Sequence, residues 1–306
     1  MGALEDGLLT EARNPEAGAI DRLDARGIVA LMDAEDARAV AAVAREAEAI
    51  ARAIDLAADR FRSGGRLVYI GAGTSGRLGV LDAAECPPTF GTDPKQVVGL
   101  IAGGPAALTR AIEGAEDDRE QGGRDLEALG VGPSDLVVGI AASGRTPYVL
   151  GAIERAKKLG ATTVGVACNR PSLLGAIVDL EIAPLVGPEV VAGSTRLKAG
   201  TATKLVLNRI TTGAMVRLGK TFGDRMIDLR PTNEKLRIRT RRILRELAGV
   251  DDERAGALLA RAEGELKPAL VMALAGVGPD AARALLDRNG GQVRLAVRDA
   301  IGGEPK

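Results

Sequence analysis

Two glycine-rich, hydroxyl-bearing loops offer the clearest chemistry in this chain. Gly71-Ala72-Gly73-Thr74-Ser75-Gly76-Arg77 directly follows the apolar run Leu67 to Ile70, and Ser143-Gly144-Arg145-Thr146-Pro147 follows the run Leu136 to Ala141. Each sets hydroxyl groups at the expected start of a helix, where unpaired backbone N–H groups and about half a positive charge from the helix dipole favour an anion. A phosphate monoester suits Thr74, Ser75, Ser143, Arg145 and Thr146. A third segment, Gly193 to Thr201, presents Ser194 and Thr195 ahead of another helix. Ordinary N-capping explains that segment as readily as a ligand does.

The first loop also matches the dinucleotide pattern GxGxxG letter for letter. A dinucleotide site needs an acidic residue about 20 residues on, at the end of the next strand, to hold the ribose hydroxyls. Here the next strand, Val97 to Ile101, ends in Ala102-Gly103-Gly104, and Asp93 lies at its wrong end. No nicotinamide or flavin is therefore expected, and no other cofactor. A tight strand-to-helix turn alone would also use such glycines; recurrence of the device after a neighbouring strand favours the phosphate cradle.

Proton transfer must come from carboxylates, lysine, tyrosine or cysteine, because the chain contains no histidine. Imidazole-based triads and most zinc sites are thereby removed, and no metal is expected. Two acidic segments stand out. Asp82-Ala83-Ala84-Glu85-Cys86-Pro87-Pro88 places Glu85 just before a proline pair, which predicts an extended or turn backbone there. Glu113-Gly114-Ala115-Glu116-Asp117-Asp118 forms an acidic cluster in the helical region after the second strand. Taken alone, such a run is an ordinary solvated face.

Short apolar runs alternating with helical patterns must position these groups. Leu67 to Ile70, Val97 to Ile101, Leu136 to Ala141, Thr163 to Ala167 and a weaker Leu180 to Ala183 predict a doubly wound parallel five-stranded α/β sheet flanked by helices. Loops from its neighbouring strands converge at the carboxyl ends, where ligands bind in this class. Ahead of the sheet, residues 1–35 read as an arm, and Asp36 as the N-cap of a long helix to about Phe61. Lys198 to Leu218 reads as one helix, and Thr232 caps the next, Asn233 to Leu247. Short helices punctuated by glycine and proline follow. The expected domains are the arm 1–35, an α/β domain 36–225 that carries the glycine loops, and a small C-terminal helical bundle 232–306.

Composition mainly excludes. Lysines plus arginines and aspartates plus glutamates both number 41, so no global field holds nucleic acid or an anionic membrane. The aromatic content of 2% gives no stacking platform for single-stranded nucleic acid. Cys86 and Cys168 show no disulfide or metal-ligand spacing, and no apolar run approaches the roughly 20 residues that span a bilayer. A cytoplasmic protein acting on a small molecule is expected, with neither nucleic acid nor membrane as partner.

Taken together, several stretches closely resemble the N-acetylmuramic acid 6-phosphate etherases, which have the sugar isomerase (SIS) type of phosphosugar-binding fold, a flavodoxin-like arrangement. They are Thr10 to Asn14, Tyr69 to Leu78, Leu81 to Pro88, Gly99 to Gly104, Glu113 to Asp117, Val138 to Val149, Gly193 to Lys204 and Thr232 to Leu236, and they cover nearly the full chain. The resemblance implies removal of the D-lactyl ether from N-acetylmuramic acid 6-phosphate by elimination and water addition. The products would be N-acetylglucosamine 6-phosphate and D-lactate, in peptidoglycan amino-sugar recycling. It also implies a homodimer with the active site near the subunit interface, and two catalytic glutamates, which fall on Glu85 and Glu116. Glu85 would protonate the departing lactate oxygen and Glu116 would remove the C2 proton, although the reverse assignment stays open. Lys235 is a further candidate for ligand contact. The competing readings are a non-catalytic sugar-phosphate-sensing regulator, similar to the animal glucokinase regulatory protein, and an aldose/ketose phosphate isomerase of the same fold.

Overall fold

In the computed structural model, which describes residues 7–228 and 234–302, all five expected strands form. The chain divides into two compact units, Met1–Glu85 with Pro94–Thr212, and Cys86–Asp93 with Gly213–Lys306.

The first unit opens with a turn-rich segment and then α1 (Ala25–Arg45) and α2 (Ala47–Arg62). The helix expected from a cap at Asp36 thus begins twelve residues earlier. Asp24 is its cap, accepting a hydrogen bond from the Gly27 N–H at 2.8 Å, and nothing between Ala25 and Asp36 breaks the helix once that cap is made. The break comes instead at Glu46, which leaves helical geometry at φ −93°, ψ 17°.

Beyond α2 run β1 (Leu67–Gly71), α3 (Gly73–Phe90), β2 (Val97–Ile101), α4 (Arg119–Ala128), β3 (Leu136–Ile140), α5 (Pro147–Lys158), β4 (Thr162–Val166), α6 (Leu173–Ile177), β5 (Leu180–Ile182) and α7 (Lys198–Arg217). The sheet is parallel throughout, in the order β2-β1-β3-β4-β5. Every residue of β1 and β3 is buried, which matches their unbroken apolar sequence, because helices cover both faces of a doubly wound sheet. Val68, Ile70, Val137, Val149 and Ile153 anchor one core between the sheet and α5.

Two local expectations are corrected. Glu85 lies within α3, which runs through Pro87 and Pro88 to Phe90. Each proline removes an intrahelical donor. Burial of Ala83, Cys86 and Phe90 on the same helix offsets that loss. The cluster around Glu116 is a run of turns and not helix: Gly114 sits at φ +74°, and the Asp118 carboxylate caps α4 by accepting from the Gln121 N–H at 2.9 Å. The helix therefore begins only after the acidic residues.

In the second unit a two-stranded antiparallel hairpin, β6 (Thr221–Phe222) and β7 (Arg225–Met226), precedes α8 (Glu234–Ala248), α9 (Asp252–Arg261), α10 (Leu266–Ala275), α11 (Pro279–Arg288) and α12 (Val293–Ile301). Leu244, Leu258, Leu270, Val271 and Ala296 fill its separate core. Among the described residues no single helix is long and apolar enough to cross a membrane.

Candidate active site

The sheet order reverses direction between β1 and β3: the chain leaves β1 for the edge strand β2 and returns to β3 on the other side. At such a switch point the loops after the two strands diverge and leave a crevice at their carboxyl ends. Gly71 and Ile140 are in register there, so the β1–α3 and β3–α5 loops face one another. A cleft of about 640 Å³ occupies the position.

The glycines of the first loop are explained by its tightness. Only Ala72 separates β1 from α3, and Gly73 adopts φ +51°, in the left-handed region that disfavours other residues. A Cβ on Gly76 would stand 2.6 Å from Ile101 Cγ1 and 2.7 Å from the Gly71 carbonyl oxygen, so that glycine permits the helix to pack against the strand ends. The resulting turn places Thr74 and Ser75 on the cleft, both half-buried. From the second loop come Ser143, Arg145 and Thr146, ahead of Pro147 at the first position of α5. Ser143 Oγ accepts from the Arg145 N–H at 3.3 Å, which fixes the loop's curl. Thr195 adds a hydroxyl from the third segment.

Acidic groups occupy other parts of the cleft wall. Glu116 and Asp117 line it, and the Glu116 carbonyl accepts from the Tyr148 N–H at 3.0 Å, tying the acidic turn to the start of α5. Tyr148 is itself fully buried and donates its hydroxyl to Asp125 at 2.6 Å; burial, reinforced by that carboxylate, holds the phenol far above its usual range. Glu11, which was not singled out from the sequence, also lines the cleft.

Other expected residues lie elsewhere. Glu85 is exposed on α3 and lines a separate depression of about 210 Å³ with Leu78, Leu81, Asp82, Lys204, Leu207 and Asn208. A single chain therefore does not bring Glu85 and Glu116 to one cavity. Ser194 does not line the cleft, although Gly193 and Thr195 do. At the start of α7 it is buried Glu189, and not a hydroxyl of Ser194 or Thr195, that accepts from the N–H groups of Lys198 and Ala199, at 3.1 and 2.9 Å. That helix N-terminus is thereby filled by the protein's own carboxyl group. The side chain of Lys235, with Thr232 and Asn233, lies outside the described residues.

Residues 49–157 match the family model of the glucokinase regulatory protein N-terminal SIS domain. Over 87% of its length the chain is 58% identical to the N-acetylmuramic acid 6-phosphate etherase of Rhodopirellula baltica, covering 88% of that protein. The chain belongs to the N-acetylmuramic acid 6-phosphate etherase family. The family member of Streptomyces avermitilis is 56% identical, with 86% of this chain and 85% of that one aligned. Among solved structures the phosphoheptose isomerase of Neisseria gonorrhoeae is similar at a TM-score of 0.46 and 19% identity, over 62% of this chain and all of that one. In this etherase family member the two glycine loops and the acidic turn bearing Glu116 line one cleft, whereas the second expected glutamate is exposed on α3.

Proposed function

We propose that the enzyme cleaves the D-lactyl ether of N-acetylmuramic acid 6-phosphate by elimination followed by water addition, releasing N-acetylglucosamine 6-phosphate and D-lactate. The observation that carries this reading is the cleft itself: five hydroxyl groups and Arg145 for a sugar phosphate, with Glu116 on the same wall, in a chain more than half identical to relatives named as etherases. Recycling of cell-wall amino sugars in the cytoplasm is the setting we assign.

Thr74, Ser75, Ser143 and Thr146 hold the phosphate oxygens, Arg145 supplies the charge-assisted contact, and Thr195 faces the sugar. Once the sugar is open, its C2 proton is α to the aldehyde and the lactyl ether at C3 is β to it. Glu116 takes the C2 proton. The C3–O bond breaks as Glu85 protonates the departing lactate oxygen, leaving an unsaturated aldehyde. Glu85, now a carboxylate, draws a proton from water as its oxygen adds to C3, and Glu116 returns a proton to C2. Atoms and charge balance without any cofactor, and positioned carboxyl groups serve such transfers.

Because Glu85 and Glu116 line different cavities of one chain, we assign Glu85 to the neighbouring active site of a homodimer. Leu81, one helical turn before Glu85, is 54% exposed, as a residue covered by a second copy would be. Mixing Glu85→Gln with Glu116→Gln subunits tests the arrangement. Random exchange makes half the dimers mixed, each with one intact site, so about a quarter of parental activity should return. If both glutamates act within one chain, no activity returns.

D-lactate formation separates this reading from its rivals. A sugar-phosphate-sensing regulator releases nothing, and an aldose/ketose isomerase would move the carbonyl while leaving the lactyl group on C3.

A further inference from the structure

Elimination across C2 and C3 needs a free aldehyde, because the ring form of the sugar has no carbonyl to make its C2 proton acidic. Ring opening therefore precedes the chemistry of Glu116 and requires a proton to leave the C1 hydroxyl and another to reach the ring oxygen. We propose that Glu11 performs this step, a role that rests on the phosphosugar reading above.

Glu11 is held at the cleft by a dedicated set of contacts. Its segment, outside any long helix or strand, is pinned by Asn169, which is 3% exposed. Asn169 Oδ1 accepts from the Leu9 N–H at 2.7 Å, and its Nδ2 donates both to Thr10 Oγ1 at 3.1 Å and to the Ala142 carbonyl at 3.0 Å. One buried amide thus joins the residue before Glu11 to the loop that carries Ser143. Asn14, three residues on, donates to Glu35 at 2.8 Å and to the Pro188 carbonyl at 3.1 Å, closing the far end. Between these anchors Glu11 faces the cleft, its Oε2 3.3 Å from where a Cβ on Gly193 would stand.

We seat the phosphate on the loops after β1 and β3, with Thr74, Ser75, Ser143 and Thr146, and the C1 end of the sugar, where C1 carries two oxygens, at Glu11 beside Gly193. One carboxylate oxygen accepts the C1 hydroxyl proton as the C1–O1 bond becomes a carbonyl. The electron pair of the C1–O5 bond passes to O5, which takes a proton from the same carboxyl group. The glutamate ends as it began, and no co-reactant is needed. General acid–base assistance of this kind is worth roughly 10²–10⁴-fold in rate.

The experiment measures anomer interconversion of N-acetylglucosamine 6-phosphate by NMR saturation transfer with the full-length enzyme, alongside D-lactate release from N-acetylmuramic acid 6-phosphate. The parent should accelerate interconversion. Glu11→Gln should lose roughly 10²-fold or more of that acceleration while its affinity for the sugar phosphate stays within a few-fold. Lactate release should fall with it, and the isotope effect from deuterium at C2 should shrink as ring opening becomes limiting. Glu11→Gly supplemented with formate should regain interconversion, which a misfolded variant would not. Interconversion at the parental rate by Glu11→Gln, or a parent that releases lactate without accelerating interconversion, overturns the proposal and leaves the etherase reading intact. A parent that accelerates interconversion but releases no lactate keeps the role of Glu11 and removes that reading instead.

Discussion

The Tyr69 hydroxyl on β1 donates to the Asp82 carboxylate on α3 at 2.9 Å, beneath the surface that carries Glu85. Asn208 Nδ2 and Thr211 Oγ1 on α7 donate to the other oxygen of Asp82 at 2.6 and 3.3 Å, so a single carboxylate joins three elements. Burial pushes the Asp82 carboxyl above its ordinary value of 3.8, against the lowering by Asn208, Tyr69 and Thr211.

Asp82→Ala should therefore lower unfolding free energy by roughly 1–3 kcal/mol, the cost of breaking buried hydrogen bonds. Asp82→Asn keeps the shape and should cost less. With its folded pKa above the unfolded one, Asp82 contributes most below pH 3.8, and that contribution declines as pH rises through the folded value. Urea unfolding at a series of pH values should show this slope in the parent and not in Asp82→Asn.

The ion pair between Lys198 and Glu35 is buried at 2% exposure on both sides. Removing one partner strands a charge, so Lys198→Ala should destabilise by roughly 3–5 kcal/mol, and a combined Glu35→Leu, Lys198→Met variant should recover much of it. Burial raises the Glu35 carboxyl, but Lys198, Asn14 and Arg38 more than offset this and hold it below 4.5. Its stabilisation is present above that pH and lost as pH falls through the lower folded value. Acid titration of the melting temperature should show the loss in the parent and its absence in the double variant.

Gly76→Ala should fail by overpacking. Its Cβ would meet Ile101 Cγ1 at 2.6 Å and backbone oxygen at 2.7 Å, and the backbone side of that clash has no flexible end to yield. A destabilisation of about 1–3 kcal/mol is expected, together with weaker phosphosugar binding as Thr74 and Ser75 shift. Calorimetric titration with N-acetylglucosamine 6-phosphate reads both the affinity and the fraction of competent protein.

Arg145→Ala should reduce kcat/KM by roughly ten- to a hundredfold, the value of a charge-assisted hydrogen bond of about 1.5–3 kcal/mol. Its effect should fall on the phosphorylated sugar and vanish for an analogue without the phosphate. Equal losses on both substrates would remove Arg145 from the phosphate site.

How far the sequence disclosed this arrangement depended on the range of the forces involved. The strands were readable because their apolar runs are local, and the two glycine loops because glycine, hydroxyl and proline positions report a turn directly. Pro147 begins α5 as its chemistry predicts. Glu11 escaped notice because its position is set by Asn169, 160 residues from Leu9. Glu189 at the start of α7 was out of reach for the same reason: it lies outside the helix, beyond the Ser194 and Thr195 hydroxyls that the local sequence offers as caps. Pro87 and Pro88 argued locally for a break at Glu85, and burial of residues on either side overrides them.

The most direct measurement incubates the enzyme with N-acetylmuramic acid 6-phosphate in heavy water enriched in heavy oxygen and follows both products. The account predicts free D-lactate that keeps its original ether oxygen, and N-acetylglucosamine 6-phosphate carrying solvent deuterium at C2 and solvent oxygen at C3. Lactate bearing the solvent oxygen, or a product that retains the lactyl group, would contradict it.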